Sequence, residues 1–574
     1  MTTTRQNLPP CCHAVRIGKK DTPKVRFKSE LTKFAVASGK DEVSRLAFAL
    51  TEARSALQLD RSGYDASKTA SRFNQVDDIQ GYVSSVTSYL SLVKGFTVAP
   101  VELVSVAKPP VTEESLVSHL PAEGSATPAA SLQEPLIGST STAVDTQSTR
   151  SKCLSFCNWK DVLTSSSIYT MNARIEYAQC LLASGLLMME EASVKVDVML
   201  AERVTEINEN DLKIAYQLFL HAAGLFEACL TSINIPARAI GAEATDLSVE
   251  PTKKTEEATP VTTQVDESAL AKWREEQRNT NSSSTTVPTS APTADAAGTS
   301  AASSEDLSVL KRLPDLVNGR FPQLLAWISL AEAQELVVLR GMSREFVDYS
   351  LMAKLSMDLS MRYKECHAFT ARQLPCATSS VAERIRLYCT FKDAYYAAVS
   401  CYFQGAACME KGDAKHCAQA IADLKKASTL IQQATQRKAA YDAKLTSRDE
   451  KDRLFAIKTV YVRTEQIIQR DLHIMTQRND SVYYERIPEP QHPCEPLGLV
   501  RVVALPAVGV HPIWYEKSVA TCLHPSDPHS ATNGGAHAAN GTSATTRSPT
   551  TEAHGSVQES GPRRDSCCNG CVIS

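Results

Sequence analysis

The sequence predicts a mainly α-helical body built from paired helices, with a small β-sheet near its N-terminus. The first observation is periodicity: Leu212, Ala215, Phe219, Ala222 and Phe226 are spaced by alternate threes and fours, which lays one apolar stripe along one helix face. The second is Gly412-Asp413, which separates two long helical patterns. Glycine suits the end of the first and aspartate the N-cap of the second, so the pair predicts a helical hairpin. The third is that β signal is sparse. Only Lys24-Val-Arg-Phe-Lys and Cys153-Leu-Ser-Phe-Cys alternate apolar and polar residues, enough for a small sheet.

In chain order, residues 1–13 read as a flexible N-terminus. Helical patterns then run from Met171 to Arg203, through the Leu212 stripe, from Gln323 to Cys366 with an interruption near Gly341, from Val381 to Lys411, and from Ala414 to Lys444. The stretch from Ile487 to Pro512 holds Pro488, Pro490, Pro493, Pro496 and Pro506, so it cannot continue a helix and is expected to run extended along the others. Two stretches, about 107–149 and 236–304, are rich in Pro, Ser, Thr and Ala. They hold too little apolar surface to offset chain entropy and read as disordered insertions. Within the second, Leu270-Ala-Lys-Trp-Arg-Glu-Glu is a short amphipathic exception. Residues 516–574 read as a disordered Ser/Thr/Ala/His/Gly tail.

Charge narrows the functional classes. With 61 Lys+Arg against 64 Asp+Glu over 574 residues, the chain lacks the basic excess of a nucleic-acid binder. No window reaches roughly 18 uninterrupted apolar residues; the longest candidate, Leu497 to Val510, contains Arg501 and Pro506, so no membrane span is expected. The N-terminus has no apolar signal stretch, and Thr2 stands where myristoylation needs glycine, which predicts a cytosolic protein. The 17 cysteines are scattered along a long chain and are expected to be mostly reduced, with Cys180, Cys229, Cys401 and Cys408 filling small core positions. Cys153/Cys157 lacks the second pair a zinc site needs. No P-loop, dinucleotide turn, His-Glu-x-x-His or Gly-x-Ser-x-Gly occurs in the helical body, and His221, His367 and His416 each stand alone on helical patterns. The expectation is a protein without catalytic residues, metal, cofactor or small-molecule substrate.

The last residues carry the clearest chemistry. Cys571-Val572-Ile573-Ser574 is a C-a-a-X box whose terminal serine favours farnesyl on Cys571. One lipid chain holds a membrane only marginally, so stable attachment needs a second signal. Cys567 and Cys568 are placed for palmitoylation or stand as unmodified tail residues, and Arg563 and Arg564 add charge that Asp565 partly offsets.

Several blocks together carry a likeness: Tyr89-Leu-Ser-Leu-Val-Lys-Gly-Phe96, Leu154-Ser-Phe-Cys-Asn-Trp-Lys-Asp161, Leu212-Lys-Ile-Ala-Tyr216 with Ala222-Ala-Gly-Leu-Phe226, Ala331-Glu-Ala-Gln-Glu335, and Arg478-Asn-Asp-Ser-Val-Tyr-Tyr-Glu-Arg-Ile-Pro488. In this order the set resembles the Bro domain of the ALIX family, over residues 14–515 apart from the insertions. The resemblance implies a boomerang-shaped, tetratricopeptide-like helical domain and a cytosolic partner, the amphipathic C-terminal helix of an ESCRT-III charged multivesicular body protein. The chain looks most like the short form of the family, a Bro domain followed by a prenylated tail, since the residues after 515 are too few and too polar for the coiled V domain.

Carried onto this sequence, the resemblance places the partner groove at Val337, Leu351 and Leu355, with Met352 and Val502 beside them. Leu351 and Leu355 are one turn apart and share a face, and this chain is one residue longer than the ALIX pattern between Val337 and Leu351. Spacing alone reads the two leucines as core, so both readings stand. Tyr483 occupies the position of an exposed, phosphorylatable tyrosine in ALIX-like members, although a packing tyrosine is the preferred reading.

The leading expectation is a lipid-anchored adaptor that recruits ESCRT-III to a cytoplasm-facing membrane, endosomal or nuclear-envelope among them. The alternative is a prenylated helical scaffold for signalling or cytoskeletal partners. A third class, a cysteine-dependent enzyme, would require a thiol with a depressed pKa.

Overall fold

The computed structural model describes residues 14–18, 20, 22–59, 72–98, 150–166, 172–201, 207–233, 313–316, 319–445, 448–516, 519, 522 and 523, without the side chains of 201 and 448–459. The chain divides into a unit of residues Met1–Ser526 and a second of Asp527–Ser574. The two expected insertions, the Leu270 segment, and Cys567, Cys568 and Cys571 lie outside the described residues.

Ten α-helices account for most of the described residues: α1 (Phe27–Leu31), α2 (Lys40–Ala56), α3 (Val76–Lys94), α4 (Ala173–Ala201), α5 (Glu209–Ser232), α6 (Arg320–Met342), α7 (Tyr349–Gln373), α8 (Ser380–Lys411), α9 (Ala414–Asp442) and α10 (Arg448–Arg478). Each packs chiefly on its neighbours in sequence, so the body is a succession of antiparallel pairs. Their starts follow from local chemistry. Asn208 accepts hydrogen bonds from the amides of Asn210 and Asp211, Asp348 from Leu351, Ser379 from Ala382 and Asp413 from His416. At the α8–α9 turn Gly412 sits at φ +73°, a left-handed position that favours glycine, as the Gly412-Asp413 pair predicts.

One expectation about local structure needs correcting. Among the described residues there is no β-strand, and bridging is confined to isolated residues such as the Ala35–Leu523 pair. Phe27 opens α1 instead, and Lys152–Leu154 forms a 3₁₀ turn. The alternation misled because Cys153, Leu154 and Cys157 are all buried, and Phe156 meets Phe27 edge to face at 5.9 Å. The break expected near Gly341 occurs at residues 343–348, just after it. Gly341 lies inside α6, where a Cβ would come within 2.6 Å of the Met352 sulfur and methyl.

A second expectation shifts. Over its most apolar window, α5 is long and apolar enough, by length and composition, to cross a membrane. Polar residues such as His221 interrupt its apolar run, which hid it from a search for uninterrupted runs. It packs between α4 and α6 with 72% of that window buried, as a core helix does. His221 is itself buried beside Gln80, 3.4 Å away, and burial pulls its pKa down to about 4.

After α10 a π-helical turn (Asn479–Tyr483) reverses the chain, with Tyr484 at φ +53°. Residues 485–511 then run without regular structure across the helices in reverse order, as the prolines predict. On α9, Gln419 donates to the Glu489 carbonyl (3.1 Å) and Asp423 accepts from the Gln491 amide (2.7 Å). On α8, Gln404 donates to the His492 carbonyl at 3.0 Å. On α7 the Lys354 carbonyl accepts from the Leu497 amide at 3.2 Å. On α6, Gln334 both donates to the Leu497 carbonyl (3.0 Å) and accepts from the Leu499 amide (3.2 Å). On α5, Gly224 lies directly under the Val503 carbonyl. On α3, Lys94 donates to the Val508 carbonyl (2.6 Å), and the Ser91 carbonyl accepts from the His511 amide (3.1 Å). Trp514 closes this strap: it is fully buried, stands edge to face with Phe96 at 4.7 Å, and donates to the Leu92 carbonyl.

The core beneath the strap contains charges, several of them paired. Glu332 accepts from the Val15 amide (2.9 Å) and the Tyr388 hydroxyl (3.0 Å), and burial pushes its pKa up to about 8. Lys392 donates to both oxygens of Glu335 at 2.7 Å, and Tyr363 donates to the same carboxylate. Farther toward the N-terminus, Glu176 receives Tyr89 (2.7 Å), Trp159 (2.6 Å) and, at 3.4 Å, Arg54. Lys20 pairs with Asp315 in full burial.

Candidate protein-binding face

Gln334 and Lys354 mark where the strap crosses the α6–α7 hairpin. Val337 follows Gln334 on α6 by about one turn, and Leu351 precedes Lys354 on α7 by about one turn. Because the arms are antiparallel, both lie on the same side of the strap, toward the hairpin tip. Each is half-buried: its base packs on the core and its outer surface is open to solvent. Val502 is likewise half-buried, on the length of strap between the α6 crossing at Leu499 and the α5 crossing at Val503.

Leu355 and Met352 do not belong to an open groove. Leu355 is 1% exposed and Met352 4%, because one turn along α7 from Leu351 the helix face has already rotated onto the core. Met352 fills the space that the absent Gly341 side chain leaves. The groove expected from five residues therefore has three with accessible surface: Val337, Leu351 and Val502.

The residue that sequence reasoning missed is Phe346. It stands at the hairpin tip with 86% of its surface exposed, after Ser343, Arg344 and Glu345. An aromatic inside a short polar loop, with no helical period to place it in the core, was the available signal. Charge lies at one edge of this face, where Arg340 on α6 reaches Glu209 of α5 at 3.4 Å; the Asp358–Arg362 pair on α7, 2.6 Å apart, lies farther along, against the strap at Gly498. An apolar strip with a charged edge suits an amphipathic helix with apolar residues one turn apart.

Tyr483 is half-buried in the π turn. Its hydroxyl donates to the Gly412 carbonyl at 2.8 Å, and Arg478 lies over its ring at 5.3 Å. The neighbour Tyr484 is the exposed one.

Cys180, Cys229, Cys401 and Cys408 are buried thiols, as the core reading expects. Burial raises the thiols of Cys153 and Cys401 to about 11 and also lifts Cys157, Cys229 and Cys389. These groups are held as thiols, away from the thiolate a nucleophile requires.

The described residues of the first unit thus form a stack of helix pairs bound by a C-terminal strap, with a half-exposed apolar face at one hairpin. Residues 269–520, which span α6 to α10 and the strap, match the family model of the BRO1-like domain. No curated protein sequence matches the chain. Among solved structures, one described as an ALIX BRO1 CHMP4C complex is 16% identical, with 86% of this chain and 95% of that chain covered and a TM-score of 0.45. A second, described as the structural basis for endosomal targeting by the Bro1 domain, is 14% identical, with 90% and 99% covered and a TM-score of 0.48.

The blocks that carry the family likeness have structural roles here. Gln334 of Ala331–Glu335 ties down the strap, while its two glutamates anchor the N-terminal segment and Lys392. Lys94, Gly95 and Phe96 hold the strap's far end. Asn479 pins its start, donating to the Glu485 carbonyl at 3.0 Å and accepting from the Glu485 amide at 3.2 Å.

Proposed function

We propose that the chain is a non-enzymatic, membrane-associated adaptor. On this reading the face formed by Val337, Leu351, Phe346 and Val502 takes the amphipathic C-terminal helix of an ESCRT-III charged multivesicular body protein. The observation that carries it is the half-exposed pair Val337 and Leu351 beside the strap, inside the BRO1-like match. Targeting comes from the tail: a farnesyl group on Cys571, aided by acylation at Cys567 or Cys568, holds the adaptor on a cytoplasm-facing membrane. In this combination it resembles BROX, the short prenylated member of the ALIX family. Membrane attachment and helix binding reinforce each other by raising local concentration, so neither needs high affinity.

The test is a titration of a fluorescent C-terminal helix peptide into the whole chain and into V337D/L351D. Carboxylates placed at two half-exposed positions should weaken binding about a hundredfold or more, without loss of helicity. The alternative reading, a prenylated scaffold for other partners, draws on the burial of Met352 and Leu355, which leaves this face fewer apolar positions than the family pattern implies. It predicts no saturable binding of the peptide to a folded protein.

A further inference from the structure

Where the chain leaves the π turn, Ile487, Pro488 and Pro490 pass alongside α9, and a cleft of about 360 Å³ opens between them and the helix. Its apolar surfaces are those three residues with Ala422 and Leu430, and its polar ones include Lys425 and Lys426. The lining contains two cations and no carboxylate. Asp423, next to Ala422, is buried, and its Oδ1 accepts from Gln491 and Gln419.

The cleft is preformed. Pro488 and Pro490 restrict the backbone of one wall. That wall is fixed at one end by Asn479, through Glu485, and at the other by the bonds from Gln419 to Glu489 and from Gln491 to Asp423. The other wall is a helix. A binding site with rigid walls loses little entropy when occupied.

We propose that this cleft is a second docking site, and that it takes an extended acidic peptide in which an apolar side chain is flanked by carboxylates. The apolar side chain packs against Leu430, Ile487 and the two prolines, while the carboxylates meet Lys425 and Lys426. Complementary charge argues for an acidic occupant, and a volume at the small end of ligand pockets argues for a side-chain anchor rather than a whole helix. The site does not depend on the α6–α7 face, so the two proposals stand or fall separately.

The experiment uses the whole chain and a fluorescein-labelled octapeptide with two central leucines flanked by glutamates. A twin peptide carries lysines in place of the glutamates. Binding to wild type should saturate, weaken about tenfold in K425E/K426E and about as much in I487S, and stay unchanged in V337D/L351D. The lysine twin should bind K425E/K426E better than it binds wild type, a gain that a misfolded variant would not show. Absence of saturable binding, equal affinity of both peptides for wild type, or an acidic-peptide affinity unaffected by K425E/K426E would overturn the proposal.

Discussion

Replacing Gly224 with alanine tests how tightly the strap lies on the helices. A Cβ at Gly224 would stand 2.0 Å from the Val503 carbonyl oxygen and 3.0 Å from its carbon. Those are backbone atoms, so no side chain can rotate aside, and the strap must lift by more than an ångström. Overpacking of this kind costs about 1–3 kcal/mol. Lifting the strap also strains the two bonds from Gln334, each contributing about 1 kcal/mol. Alanine returns about 1 kcal/mol of helix propensity. The net expectation is a loss of about 2–4 kcal/mol, read as a lower midpoint in urea unfolding followed by circular dichroism. Gly81 in α3 is the control, since a Cβ there meets nothing within 4 Å. Gly81→Ala should leave stability unchanged or raise it by up to about 1 kcal/mol. Equal midpoints for the two variants would refute the close strap contact.

Three other predictions follow from the buried charges and the tail. Lys392→Met leaves Glu335 without its cation in full burial and should cost about 3–5 kcal/mol, measured by the same unfolding assay. Glu332 has a folded pKa of about 8, above its ordinary 4.5, so the folded state holds the extra proton. Its contribution to stability is full below pH 4.5 and is lost as pH rises through 8; Glu332→Gln should flatten that part of the stability profile in unfolding curves taken between pH 4 and 9. Cys571→Ser should move the protein from the membrane to the supernatant fraction on cell fractionation, and an unchanged distribution would remove the lipid anchor from the proposal.

Much of the helical body was legible because its signals are local. The 3–4 spacing around Leu212, the Gly412-Asp413 turn and the run of prolines after Ile487 each act through neighbours in sequence, and each produced the expected element. Tertiary packing overrode the short alternating run at Cys153, where Cys153 and Leu154 are both buried instead of the one-sided burial that alternation implies; at Lys24 the burial does alternate, but Phe27 opens a helix. The binding face was legible only in part. Spacing put Leu351 and Leu355 on one face, but the boundary between core and surface falls between them, and it is set by how α7 lies against α6, which no local pattern records. Phe346 escaped notice for the converse reason: it sits in a loop, where periodicity says nothing. The strap's partners on six different helices were likewise invisible, since Gln334 and Gln419 look like ordinary polar helix residues until the chain returns across them.

The decisive measurement is a fluorescence-anisotropy titration of the whole chain with an ESCRT-III C-terminal helix peptide, run in parallel on wild type, V337D/L351D and K425E/K426E. Saturable binding to wild type and K425E/K426E that is lost in V337D/L351D, with helicity retained in all three, is the predicted result. A peptide that fails to bind folded wild type, or binds V337D/L351D as well as wild type, would contradict the assignment of that face to an ESCRT-III helix.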